Sequence, residues 1–360
     1  LNVSLEGINY IYIEPANTAN NNVSVYMNID SLGRSEGGIF LSSIFNIVGS
    51  GSNAKNTVFY LNINKLSFTS ITSTTAGISY IVKSSISNSN TIQMLININH
   101  ILVNLVDSDN TFTFFNLVGN NEVNINSFVI KGTVPDNTIC VSTNGVNTIN
   151  VNYFNTSQLS VSYITATGSI TYLTVNNMNS SIFTVSAGIS YININSMVLN
   201  ISSTTSYFGI TGGNSYLNIK SIISTSSQSI TIFSINSNSY INVDYISVNS
   251  SADYFNITGG TVTVNVKSII YTVLVLTNRL FTITSTAGDL YIEVDKISYI
   301  TLNNYFNISG GNNNIIIKSI LPNDGLLGIL FSITSGTSYF EIDSIDIYTS
   351  ASYFTITGGN

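Results

Sequence analysis

The phrase YFNITGG at 254–260 returns as YFGITGG at 207–213, YFNISGG at 305–311 and YFTITGG at 353–359. Looser copies lie between these: IFSINSN at 232–238, LFTITSTAG at 280–288 and LFSITSG at 330–336. The repeat is therefore about 24 residues long. It aligns Phe183, Phe208, Phe233, Phe255, Phe281, Phe306, Phe331 and Phe354, and Phe45 and Phe115 open weaker versions of the same phrase. A unit this short cannot bury its own apolar face; neighbours above and below must cover it, which limits the chain to a solenoid.

A second motif follows each phrase: an apolar residue, any residue, Ile or Val, a polar residue, any residue, then another apolar one. It reads VNINSF at 123–128, INVNYF at 149–154, LNIKSI at 217–222 and INVDYI at 241–246, with weaker forms at 27–32, 61–66 and 96–101. Apolar residues alternate with period two inside these bursts, and no 3.6-residue pattern is sustained, so the elements are strands. Gly-, Ser- and Asn-rich stretches separate them and supply corners. The fold class predicted is all-β: a single-stranded parallel β-helix of about 24 residues per coil and about fourteen coils. One continuous domain is expected over 1–360, with less regular coils in 1–114 and regular ones in 115–360. At the strand spacing of ~4.8 Å this makes a shaft of roughly 65–70 Å.

In such a stack the phenylalanines form an internal aromatic column. The polar position of the second motif interrupts the alternation and marks a corner. Its occupants run Asn99, Asn126, Asn152, Asn176 and Asn195, then Lys220, Asp244, Lys267, Asp295, Lys318 and Asp343. Stacked amides bond from coil to coil, and opposite charges avoid the repulsion that like charges would suffer one rung apart. A one-coil slip would set Lys beside Lys, so the ladder fixes register. The strong and weak forms of the phrase alternate with the Lys and Asp coils. The tyrosine ahead of each phenylalanine is expected at the surface beside the corner.

These repeats resemble the right-handed parallel β-helix proteins of the pectin-lyase-like type. That class contains polysaccharide lyases, viral tailspikes and surface adhesins, and its coils often carry a stacked asparagine column. The resemblance covers at least 115–360; it implies the handedness, and it is specific for architecture rather than identity.

Chemistry is sparse. Charged residues are 8% of the chain and its net charge is −7, with no basic stripe, so no nucleic-acid partner is expected. The densest apolar burst, IIYTVLVL at 269–276, is too short to span a bilayer. Cys140 is alone and reads as a strand residue. His100 has no second ligand nearby and reads as a surface corner. DSDNTF at 107–112, with Asp107 and Asp109, lacks the glycine and terminal glutamate of a calcium loop. GSGSNAK at 49–55 lacks the Gly-Lys-Ser/Thr ending of a phosphate loop. The carboxylate pairs Glu293 with Asp295 and Glu341 with Asp343, together with Asp346, read as charges on a solvated face; the two arginines, Arg34 and Arg279, are far apart in sequence. No catalytic, cofactor or metal site is expected. Asn-x-Ser/Thr sequons occur at Asn2, Asn22, Asn155, Asn179, Asn200, Asn249, Asn256 and Asn307; chance in an Asn/Ser-rich chain and glycan attachment both account for them.

The expected function is a non-enzymatic extracellular rod, part of a surface filament, adhesin stalk or viral tail fibre on a virion or cell surface. Self-association or further domains of the same chain would cover the open coil ends. The alternatives are a polysaccharide-degrading β-helix, and a binder of cell-surface glycans using tyrosines such as Tyr254 and Tyr305 as stacking platforms.

Overall fold

The computed structural model describes residues 2–4, 11–13, 24–34, 38–39, 43–49, 57–72, 80–86, 92–105, 113–132, 139–156, 162–167, 170–179, 182–199, 206–225, 230–248, 252–271, 279–284, 288–298, 305–321, 329–346 and 352–359. All its regular elements are β-strands, and every register it gives is parallel. The chain is a parallel β-solenoid with coils of about 25 residues. By compactness it forms two units: Leu1–Phe183 with Ala187–Tyr191, and Thr184–Ser186 with Ile192–Asn360. The sequence leads one to expect about fourteen coils, whereas about eight turns are shown; the fold class is as expected.

A regular coil has a short strand, a glycine corner and a longer strand that bends midway. In the first unit Ile139–Asn144 is followed by Gly145, at φ 118°, and then by Val146–Thr156. The bend falls at the polar position of the second motif. Register runs Ile125↔Val151↔Val175 and resumes at Ser127↔Tyr153↔Asn177, skipping Asn126, Asn152 and Asn176 at the corner. The same gap recurs in the second unit at Lys220 and Asp244, between Ile219↔Val243 and Ser221↔Tyr245. A corner placed at the same residue of each coil makes that side chain a column.

The second unit accounts for the repeated phrase letter by letter. Its phenylalanines are register partners, Phe208↔Phe233↔Phe255↔Phe281↔Phe306↔Phe331↔Phe354. Their rings stack at centroid distances of 4.7 to 5.1 Å. The following residue is half-buried and the isoleucine after it is buried, as strand alternation requires, except in the last copy, where Ile356 is exposed. The Thr or Ser hydroxyl donates to the carbonyl one coil back: Thr258 to Ile235 at 3.2 Å, Ser309 to Ile283 at 3.2 Å, Thr334 to Ile308 at 3.3 Å. The first glycine is set by close approach, since a Cβ on Gly212 would lie 2.1 Å from the Ser186 carbonyl oxygen. The second turns the corner at positive φ, 73° at Gly213 and 81° at Gly260.

The tyrosine of the phrase corrects the expectation. Tyr207, Tyr254 and Tyr305 are buried to 0%, 0% and 3% exposure, so they do not stand at the surface. Two consecutive side chains point inward here, and the looser copies fill the same place with Ile232, Leu280 and Leu330, all buried. A bulky ring thus alternates with a smaller aliphatic chain from coil to coil, which lets the layers interdigitate. This volume alternation is the physical reason for strong and weak forms of the phrase.

The first unit is packed differently. Its column at the phrase position mixes residues, Phe45↔Val82↔Phe115↔Val141↔Ile164. Phenylalanines of its interior meet edge-to-face, as do Phe128 and Phe154 at 5.4 Å and 87°. Its interior also holds a polar rung: Asn121 Nδ2 donates to Asn147 Oδ1 at 2.7 Å, both residues buried, and the Thr143 and Thr171 hydroxyls bond at 3.0 Å.

Candidate functional site

The expected asparagine ladder is present in the first unit, and it is longer than the motif suggests. Asn64 donates to Asp30, Asn99 to Asn64, Asn126 to Asn99, Asn152 to Asn126 and Asn176 to Asn152, at 3.0 to 3.1 Å. Asp30 and Asn64 belong to the weaker early repeats and extend it by two coils. Asn195 lies in the second unit, where it is exposed.

A second rail, missed in the sequence reading, runs two residues earlier on the same strands. Asn62 donates to Asn28, Asn97 to Asn62, Asn124 to Asn97 and Asn150 to Asn124, at 2.8 to 2.9 Å. Residues i and i+2 share a strand face, so the two rails run side by side, with Ile29, Ile63, Ile98, Ile125 and Val151 between them turned inward and buried. The signal was legible as Asn-x-Asn or Asn-x-Asp in MNID, LNIN, ININ, VNIN and INVN. An open groove of about 780 Å³ lies between the rails from Asn28 to Asn176. The corner rail is exposed, while Asn62, Asn97, Asn124 and Asn150 are half-buried.

Exposed and half-buried tyrosines occupy a third column, two residues earlier again. Tyr26 and Tyr60 stack at 4.5 Å and 2°, Tyr172 and Tyr191 at 5.0 Å and 7°. In the second unit Tyr216, Tyr240 and Tyr339 hold this place and are exposed. These, rather than Tyr254 and Tyr305, are the surface aromatics.

In the second unit an inner rail runs from Asn193 through Asn218 and Asn242 to Asn265, with bonds of 2.9 to 3.1 Å. The corner position carries the charge ladder. Lys267 pairs with Asp244 at 2.7 Å, and Lys318 pairs with Asp295 and, at 2.9 Å, with Glu293. Hydrogen bonds to these carboxylates raise the ammonium pKa of both lysines above the ordinary range. Among the described residues Lys220 and Asp343 form no ion pair, so the alternating column resolves into discrete pairs.

The Glu293 and Asp295 carboxylates are therefore both committed to Lys318, and the Tyr291 hydroxyl donates to Glu293 at 3.2 Å. Glu341, Asp343 and Asp346 are exposed. Arg279 faces Asp253 in register. His100 is exposed beside Lys65 and Ser127 in neighbouring coils. Cys140 lies in the strand Ile139–Asn144. Asp107, Asp109 and nearly all of the 49–55 stretch lie outside the described residues. Among the described residues no group of three or more His, Cys, Asp or Glu could hold a metal ion, and no helix is long and apolar enough to cross a membrane.

Of the sequons, Asn22, Asn200 and Asn249 lie outside the described residues, and Asn2 is in a strand. Asn256 and Asn307 are half-buried between inward neighbours and so face outward. The Asn179 amide donates to Asn155 at 3.2 Å, so those two sites bond each other.

No family model matches this chain, and comparison with curated proteins and with solved structures finds no match.

Proposed function

We propose that this chain is a non-enzymatic structural element, a stretch of an extracellular rod belonging to a surface filament, adhesin stalk or viral fibre. What supports the reading is where its reactive groups go. The carboxylates of Asp244, Glu293 and Asp295 meet lysines of adjacent coils, and the outward amides bond their own kind one coil away. These side chains are committed to holding coil to coil. Such a stack resists being pulled apart because each internal coil is bonded on both sides.

The test is electron microscopy of the purified full-length protein, combined with a reducing-sugar assay on a panel of polysaccharides. Elongated particles and no sugar release are expected. Compact particles overturn the rod, and released sugar replaces it with the polysaccharide-degrading alternative.

A further inference from the structure

The twin rails of the first unit leave hydrogen-bonding capacity unused. Each amide offers two N–H donors and an oxygen with two lone pairs. A ladder bond on either side consumes one of each: Asn97 donates to Asn62 at 2.8 Å and accepts from Asn124 at 2.9 Å. One donor and one acceptor remain on each internal rail residue, except at Asn124, whose amide also reaches Glu122 at 3.1 Å. These repeat at about 4.8 Å along the axis and about 6.6 Å across it.

An occupant must match that lattice. In the three outward columns from Tyr26, Asn28 and Asp30 to Tyr172, Thr174 and Asn176, only Asp30 and Glu122 carry charge, so a charged partner has little to meet. Of the flanking tyrosines, Tyr26 stacks face to face with Tyr60 and Tyr172 with Tyr191, which occupies a ring face of each that a sugar would otherwise stack on. A second copy of this chain carries the same spacing without drift, and its neutral rails approach without repulsion. Stacked Asn ladders interlock in this manner when identical sheets meet.

We propose that this face pairs with the same face of a second copy, the exposed corner rail of each entering the groove of the other as a two-fold amide zipper. The inference rests on the rod reading and deepens it by naming the surface through which rods lie side by side. The rails span about 24 Å and the three columns about 13 Å, some 300 Å² per copy against the roughly 800 Å² of a standard interface. A single pair is therefore weak, and association should appear toward the upper end of a concentration series.

Sedimentation velocity on the full-length protein over a concentration series tests this, using wild type, Asn152→Lys and, as a control in the other unit, Lys267→Asn. Wild type and the control should associate with concentration, and Asn152→Lys should weaken association at least tenfold while keeping its β-sheet circular dichroism. Should the lysine variant not fold, Asn126→Cys in a Cys140→Ser background gives the second readout: a short bis-maleimide should trap dimers there but not at Thr263→Cys. Equal association of wild type and Asn152→Lys, or a wild type that never associates, overturns the proposal. Retention on a neutral polysaccharide resin that Asn152→Lys abolishes, without self-association, overturns it too and assigns the groove to a glycan. Single unpaired rods in the microscope would sink the zipper and leave the rod standing, whereas compact particles would sink the rod.

Discussion

Phe255 lies flat on Phe281, with ring centroids 4.8 Å apart and planes 7° from parallel. Both rings are fully buried, and each has another phenylalanine on its far side, Phe233 and Phe306. The stack couples neighbouring coils, because a ring removed from the middle leaves a gap that two others line. Phe281→Ala should cost about 3–5 kcal/mol. Phe354, at 45% exposure, has less to lose, and Phe354→Ala should cost well under half as much. Urea unfolding followed by fluorescence compares the two, and hydrogen exchange should show the loss concentrated in the coils around Phe281.

Gly260 sits at φ 81°, and a Cβ there would come within 2.2 Å of the Ser237 carbonyl carbon. Backbone rather than a pliable side chain blocks the space, so neighbouring coils would have to separate. Gly260→Ala should destabilise by more than the ~1 kcal/mol that a left-handed residue alone costs. Ala at Asn256, which faces outward half-buried, should have a much smaller effect in the same thermal melts.

The repeat made the coil, its period and the phenylalanine column legible in the sequence, because a stacked architecture forces equivalent residues into one line. The corner was legible for the same reason: Asn126 and Ser127 break the alternation in sequence, and the register gap falls there. The tyrosines were misplaced because alternation forbids two consecutive inward residues, and Tyr254 with Phe255 are such a pair. Only packing reveals that the phrase carries its own irregularity. The inner rail escaped because Asn97 and Asn124 occupy an ordinary outward strand position, where one polar residue looks like another until the stack sets amide on amide. The alternation of charge is visible in the sequence, but bonding into discrete pairs depends on side-chain reach that spacing does not fix.

Asn97 holds two rail bonds, to Asn62 and from Asn124, whereas Asn28 at the start of the rail accepts one from Asn62. A half-buried amide in the middle of a ladder also leaves two neighbours with an unmet group when it is cut. Asn97→Ala should therefore destabilise by about 1–3 kcal/mol and Asn28→Ala by clearly less. Asn97→Gln, which keeps the amide but misplaces it by a methylene, should recover little. Chemical unfolding of the three variants, read by far-UV circular dichroism, orders them.

The pH dependence should have a signature at each end. Burial pushes the Asp253 carboxyl above the ordinary carboxylate range, with the Arg279 guanidinium opposing the shift. Its proton is held more tightly in the folded chain than in the unfolded one, so this group favours folding most at acid pH. That contribution fades as pH rises from about 3.9, the ordinary Asp value, through the raised one. Asp253→Asn should be more stable than wild type at neutral pH and should lose that advantage in acid. At the alkaline end burial lifts the Tyr207 phenol to about 12, while an unfolded tyrosine ionises near 10. The unfolded state then sheds a proton that the folded state keeps, and stability drops between those values by about 1.4 kcal/mol per pH unit. Lys318 adds to the decline, since its ion pairs with Asp295 and Glu293 are complete below the ordinary lysine pKa and vanish as the raised one is passed. Tyr207→Phe should flatten the alkaline limb and Lys318→Met should flatten it separately. Denaturant titrations at half-unit steps from pH 9 to 12 would decide, and a wild-type limb unchanged by either substitution would refute the assignment.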